Sequence, residues 1–295
     1  MMESMLAGGA MRVFQTLVQS FPTLLIGLLV AGVFRRLLGY EATRRLFGGE
    51  TWRAIPLGWA LGMLLPVCSL GVIPVLREMR RAGVASGALI SFGLTAPLFN
   101  PISILYGLTL ADPVVIFVFS GCSLIIVTVL GMVWDRFFPD AVSKATEERP
   151  PVAAGARRML AVAVAAARSA TGLTLVYLGA GLAGVGLLGA LLPAGSLQAS
   201  AETGDLRAPL VMTLVAIPAY ATPMDAMTQV ASMFQHGNSV GAAFALLVLG
   251  AGANLGTLLW MAVEHGYKKT GLWFAVLIAV VLISVSYTHL RAHET

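Results

Sequence analysis

Gly83-Val-Ala-Ser-Gly87-Ala88, followed by Asn100, and Gly237-Asn-Ser-Val-Gly241-Ala242, followed by Asn254, stand 154 positions apart at all four matched residues. Leu105 and Leu259 keep the same offset, and the chain has only three asparagines, so the match argues for an internal repeat. Upstream of each stretch lies an apolar run broken by proline. The first reads Pro66-Val-Cys68-Ser69-Leu70-Gly71-Val-Ile-Pro74, the second Pro218-Ala-Tyr220-Ala-Thr222-Pro223-Met-Asp225. Interrupted hydrophobic segments at corresponding places in two halves are the sequence mark of a transporter with its binding site between them.

The surroundings of these runs set the solvent. Hydrophobic residues make up 58% of the chain and charged residues 11%, against about 25% charged in a soluble domain. Eight apolar segments are expected, at 12–34, 54–76, 86–110, 113–134, 168–192, 208–230, 239–263 and 271–285. A bilayer core takes about 20 helical residues, and backbone in lipid must satisfy its own hydrogen bonds. The alternation of a barrel strand is absent. The expected class is all-α: a multi-pass helical membrane protein with about eight transmembrane segments in two structural repeats with broken helices.

A polar stretch divides the halves. Residues 1–134 form the first four-segment half, 135–158 a central polar loop, 159–285 the second half, and 286–295 a non-native tail resembling a translated adapter. An amphipathic helix is expected over 153–167, and a second polar loop over 194–207. The N-terminus lacks a cleavable leader pattern, so the first apolar segment is expected to be retained. Full crossing by every segment gives parallel repeats, and one re-entrant segment per half gives inverted ones. Arg77, Arg80 and Arg81 with the central loop argue for one side of the membrane, and Arg35 to Arg53 with Lys268 and Lys269 for the other. Nothing in the sequence sets an oligomeric state.

The net charge of +5 sits mostly beside apolar segments, which makes it membrane-flanking charge and not a nucleic-acid surface. Cys68 and Cys122 form no disulfide framework, and no zinc spacing or other metal site is present. No cofactor motif occurs. No Walker-A loop, Gly-x-Ser-x-Gly elbow or partner for an aspartyl dyad exists either, so the chain does not read as an enzyme.

Asp225 is the only acidic residue well inside an expected span, where charge is costly and commonly functional. It reads as a site of ion coupling or substrate contact, or as the cap of a half-helix after Pro223. Cys68 reads as a small buried hydrophobe or as a ligand for a soft, thiophilic solute. Cys122 reads as packing. Asn100, between Pro97 and Pro101, and its twin Asn254 read as polar lining of a path or as interhelical hydrogen bonds. Ser69, Thr95, Tyr220 and Thr222 join them as candidate path residues. Pro66, Gly71, Pro74, Pro97, Pro101, Pro218 and Pro223 are the candidate helix breaks. Four small-residue pairs, Gly58/Gly62, Gly83/Gly87, Gly237/Gly241 and Gly252/Gly256, suit close helix contact. His236 and His265 fit solvated segment ends.

The run Pro66 to Pro74, then Arg81-Ala-Gly83 and Thr95-Ala-Pro97-Leu-Phe-Asn100-Pro101, resembles the permeases related to the organoarsenical efflux permease. Pro218-Ala-Tyr220 and the Gly237 to Asn254 stretch resemble that family as well, so the resemblance spans roughly residues 10–285. It implies an inner (plasma) membrane permease of about eight helices. Efflux of trivalent organoarsenicals is known for some members, so the partners it implies are a small-molecule substrate and the lipid bilayer. Leu70 stands where many members carry a second cysteine, which removes a two-thiol trap at Cys68. The function expected is secondary transport of a small solute. A channel, or a non-transporting or enzymatic membrane subunit, is the alternative.

Overall fold

Leucine-, valine- and alanine-rich runs leave backbone N–H and C=O groups no partner in lipid but each other, and every regular element among the described residues is helical. The structure, a computed structural model, describes residues 2–49, 53–110, 112–138, 155–191, 227–228, 231 and 245–292. Helix α1 (Met2–Val33) runs into a π-helical stretch, Phe34–Leu38. Gly39 then adopts φ +75°, a conformation open to glycine, and α2 (Gly39–Leu46) follows. That turn brings Phe47 against Phe34 and against Phe92, with ring centroids 6.0 and 5.8 Å apart.

Helices α3 (Ala54–Leu64), α4 (Val72–Arg81), α5 (Ser86–Leu98), α6 (Pro101–Leu110) and α7 (Pro113–Phe137) complete the first half. Asp112 caps α7, its carboxylate accepting the Val114 N–H at 2.8 Å, with Pro113 at the first helical position. Then come α8 (Ala156–Ser169) and α9 (Leu173–Leu191), a π-helical stretch Leu246–Ala251, α10 (Leu255–His265) and α11 (Tyr267–Ala292). Leu6–Leu46 and Pro113–Phe137 are each long and apolar enough to cross a membrane. The pairs α5–α6, bent by 41°, and α8–α9, bent by 56°, are long enough when each is taken together.

Every residue of α5 is buried. A helix apolar all round belongs inside protein, and small residues let its neighbours close on it. Gly58 and Gly62 of α3 lie against Ala88 and Thr95, Gly131 of α7 against Gly87, and Gly252 against Leu94 and Leu98. The outward faces carry large apolar side chains such as Phe14, Phe21, Phe117 and Ile125, as a lipid-facing surface requires.

The directions of α3 and α4 bear on the re-entrant alternative. Gly58 meets Ala88 and Gly62 meets Ala96, so α3 runs parallel to α5. Arg80 bonds Ser86 while Leu76 packs on Gly93, so α4 runs antiparallel to it. Helices α3 and α4 therefore form a hairpin, with its tip at residues 65–71. Three smaller corrections concern local geometry. Pro97 lies inside α5 and the chain leaves the helix only at Phe99, because a proline near a helix end removes one internal bond and no more. Gly83, at φ +74°, ends α4 in a turn and does not pair with Gly87 across a helix interface. Cys122 is exposed on the outer face of α7, since the core-facing positions there are Ser120 and Ser123. The helix expected at 153–167 is present as α8.

Candidate functional site

The tip between α3 and α4 is irregular backbone, half-buried at Leu65 and Pro66 and buried from Val67 to Gly71, and such backbone is tolerated at depth only where protein encloses it. Pro66 has no N–H to continue α3. The Val67 N–H instead donates to the Leu65 carbonyl at 2.8 Å, and those of Val72 and Ile73 to Cys68 and Leu70 at 2.9 and 3.3 Å. Cys68 Sγ accepts the Gly71 N–H at 3.2 Å. Gly71 immediately precedes α4, and Pro74 sits within its first turn, where a missing donor costs nothing. Gly27 of α1 crosses directly over the Gly71 carbonyl, where a Cβ would overlap it. Cys68 and Leu70 pack with Val185 of α9, flanked by Leu24, Leu178 and Leu182.

The twin asparagines do the same local work. Asn100 Oδ1 accepts the Ser103 N–H at 2.9 Å at the start of α6, where Pro101 is the first residue. Asn254 Oδ1 accepts the Thr257 N–H at 2.9 Å at the start of α10. Each asparagine thus satisfies a first-turn donor that has no intrahelical acceptor, and each is buried. Their remaining donors differ. Asn100 Nδ2 donates to the Ala96 carbonyl at 3.4 Å, while Asn254 Nδ2 has no partner among the described residues.

The tip of the α3–α4 hairpin and the start of α10 meet. Thr257 Oγ1 donates to the Ser69 carbonyl at 3.5 Å. Gly181 of α9 lies between them, and a Cβ there would come 2.7 Å from Leu70 and 3.6 Å from Asn254 Oδ1. Gly256 lies against the Tyr177 carbonyl so closely that a Cβ would overlap it. Ser69 Oγ, Thr95 Oγ1, Asn254 Nδ2 and Tyr177 Oη are buried without a partner among the described residues. The neighbouring void, lined by Leu94, Gly252, Ala253 and Thr257 among others, measures about 10 Å³, room for one water at most.

Among the sequence candidates, Cys68, Ser69 and Asn254 come together here. Thr95 and Asn100, on α5 and at its end, join through Leu98, which touches Gly252. Pro218, Tyr220, Thr222, Pro223 and Asp225 lie outside the described residues, as do His236, Gly237 and Gly241. Just beyond Asp225, Met227 packs on Gly107 of α6 and Thr228 Oγ1 donates to Tyr106 Oη at 3.4 Å. His265 is buried beside Trp134 and Trp260, not solvated.

Sequence reasoning missed Glu78. Its side chain is 2% exposed and accepts from Arg81 Nη1 at 2.6 Å and from Tyr40 Oη at 3.2 Å, with Arg35 Nη1 at 3.9 Å. Flanking arginines disguised it as surface charge. The usable signal was the i, i+3 pairing with Arg81 on an amphipathic helix.

Over 127 residues the chain is 30% identical to the UPF0718 protein YcgR of Bacillus subtilis (strain 168), covering 42% of this chain and 43% of that protein. The match therefore spans less than half of that curated relative. No solved structure matches the chain. A family model described as a predicted permease, ArsP_1, matches residues 8–290. That span takes in the α3–α4 hairpin, both asparagine caps and the apolar helices around them, and the chain belongs to this predicted permease family.

Proposed function

We propose that this membrane protein is a secondary transporter, multi-pass in the inner (plasma) membrane, that exports a small solute and performs no enzymatic chemistry. The observation that carries the reading is the meeting of the broken α3–α4 hairpin with the asparagine-capped start of α10, deep among apolar helices. Unpaired polar atoms buried there serve a solute better than they serve stability. A broken hairpin meeting a capped helix start suits a carrier, whose site lies at interrupted helices between two halves. The two asparagine caps support reading the halves as structural repeats. Cys68, buried and next to Ser69, suits a thiophilic cargo such as a trivalent organoarsenical.

The test is a toxicity screen in a sensitised host expressing the full chain, with arsenicals, metals and antiseptics, followed by uptake into everted vesicles. Resistance with energy-dependent uptake into the vesicles is expected. Asp225→Asn is expected to abolish uphill uptake while leaving membrane insertion intact. A chain that is inserted yet moves no compound of the screen would sink the reading.

A further inference from the structure

The two asparagine caps are alike except in one atom, and that atom marks a site. Asn100 spends its Nδ2 on the Ala96 carbonyl. Asn254 Nδ2, on a residue with no exposed surface, donates to nothing among the described residues. Its sister atom Oδ1 is fixed 2.9 Å from the Thr257 N–H, so the spare N–H₂ group is held at the first turn of α10. Ser69 is held at the same turn by its own carbonyl, 3.5 Å from Thr257 Oγ1, and its hydroxyl is likewise buried and unpaired.

We propose that the start of α10 and the tip of the α3–α4 hairpin bind an oxyanion group of the transported solute, with Asn254 Nδ2 and Ser69 Oγ as side-chain donors. This inference rests on the transport reading and names the chemistry of its cargo. Helix α10, 11 residues long, directs the positive end of its dipole and its first-turn N–H groups to this point. Helix α4 also begins at the tip, immediately after Gly71. The charged side chains of α4 and α10 sit toward their far ends, at Arg77, Glu78, Arg80, Arg81 and Glu264, and α9 carries none. A cation entering here would therefore meet donors and helix N-termini, while an oxyanion finds matched partners. Gly181 lets α9 approach the tip and the amide closely, since a Cβ there would stand 2.7 Å from Leu70 and 3.6 Å from Asn254 Oδ1. Leaving two such groups unpaired in a packed interior is unfavourable for folding alone. It is explained if a solute completes them.

The experiment uses the full chain in lipid nanodiscs and follows thermal unfolding. The probes are acetate, methylphosphonate and phenylphosphonate, against methylammonium and benzylammonium. At least one anion is expected to raise Tm saturably, and neither amine is. Asn254→Asp keeps an N-cap acceptor but replaces the N–H₂ donor by a carboxylate. Ser69→Ala deletes a hydroxyl that has no partner. Each is expected to weaken anion binding at least about tenfold, with the ligand-free Tm of Ser69→Ala unchanged. Ser123→Ala, at an equally buried and unpaired hydroxyl on α7, is expected to bind as the parent does. Stabilisation by amines as strong as by anions, stabilisation by no anion, or full anion affinity in Ser69→Ala overturns the proposal. If the screen shows export while these binding results fail, only the oxyanion site falls. Anion binding that depends on Ser69 in a chain that exports nothing removes the transport reading and leaves the site.

Discussion

At the scale of single residues, two cysteines and an asparagine give separable readouts. Cys68 lies buried against Val185, whereas Cys122 faces outward from α7. For a thiophilic cargo, Cys68→Ser should abolish resistance to trivalent compounds and Cys122→Ser should leave it unchanged, measured as growth inhibition in the sensitised host. Equal loss from both would mean folding damage and dismiss a role in ligation. Asn100 answers a different question, since its Oδ1 closes the first turn of α6. Asn100→Ala should lower stability by about 1 kcal/mol, while Asn100→Asp, which keeps the capping acceptor, should lose less. Denaturation of the two variants in detergent tests the order, and equal stability would show that the cap contributes nothing.

At the scale of elements, close approach rather than apolar burial decides packing, because lipid is as apolar as leucine. Gly256 and the Tyr177 carbonyl set the contact of α10 with α9, and backbone there has no rotamer in which to yield. Gly256→Ala should cost about 1–3 kcal/mol by forcing the helices apart. Gly179→Ala, with nothing within 4 Å, should be neutral or slightly stabilising through helix propensity. Thermal unfolding of the pair measures the difference, and a benign Gly256→Ala would refute the tight crossing. The π-helical stretch Phe34–Leu38 acts in the opposite sense. It takes the end of α1 off the regular α-helical bonding pattern, and Arg158 Nη2 of α8 donates to the Leu37 carbonyl at 3.0 Å. Much of this level was legible beforehand. The proline break before Cys68, a helix after the central polar loop and the Gly58/Gly62 contact all follow from local chemistry. The return of α4 was not legible, because residues 54–76 have the length and polarity of a crossing and only their neighbours reveal the hairpin.

At the scale of the whole molecule, that hairpin reconciles basic residues that seemed to belong to opposite sides. Arg35 and Arg81 meet at Glu78, Arg77 donates to Thr174 at the start of α9, and Arg158 reaches Leu37. Trp134 near the end of α7 packs on His265 and Trp273 beside Lys268 and Lys269. All these termini gather at one end of the helices, and from the rule that positive loops stay inside we propose that this end is cytoplasmic. A fluorescent protein inserted at residues 50–52 or fused after Phe138 should therefore glow, while alkaline phosphatase fused after Leu110 should be active. The reverse pattern would invert the orientation. The sequence could not show this gathering, because it depends on α3 and α4 folding back as a hairpin. Complete burial of α5 has a consequence for the order of synthesis. Its Gly87 N–H donates at 2.7 Å to Asp135, a residue the ribosome adds 48 positions later. The innermost helix of this half must therefore wait for the last turn of α7 before its own first turn is satisfied. A nascent chain arrested before Asp135 should remain open to protease at the α4–α5 turn, and one arrested beyond Phe138 should be protected.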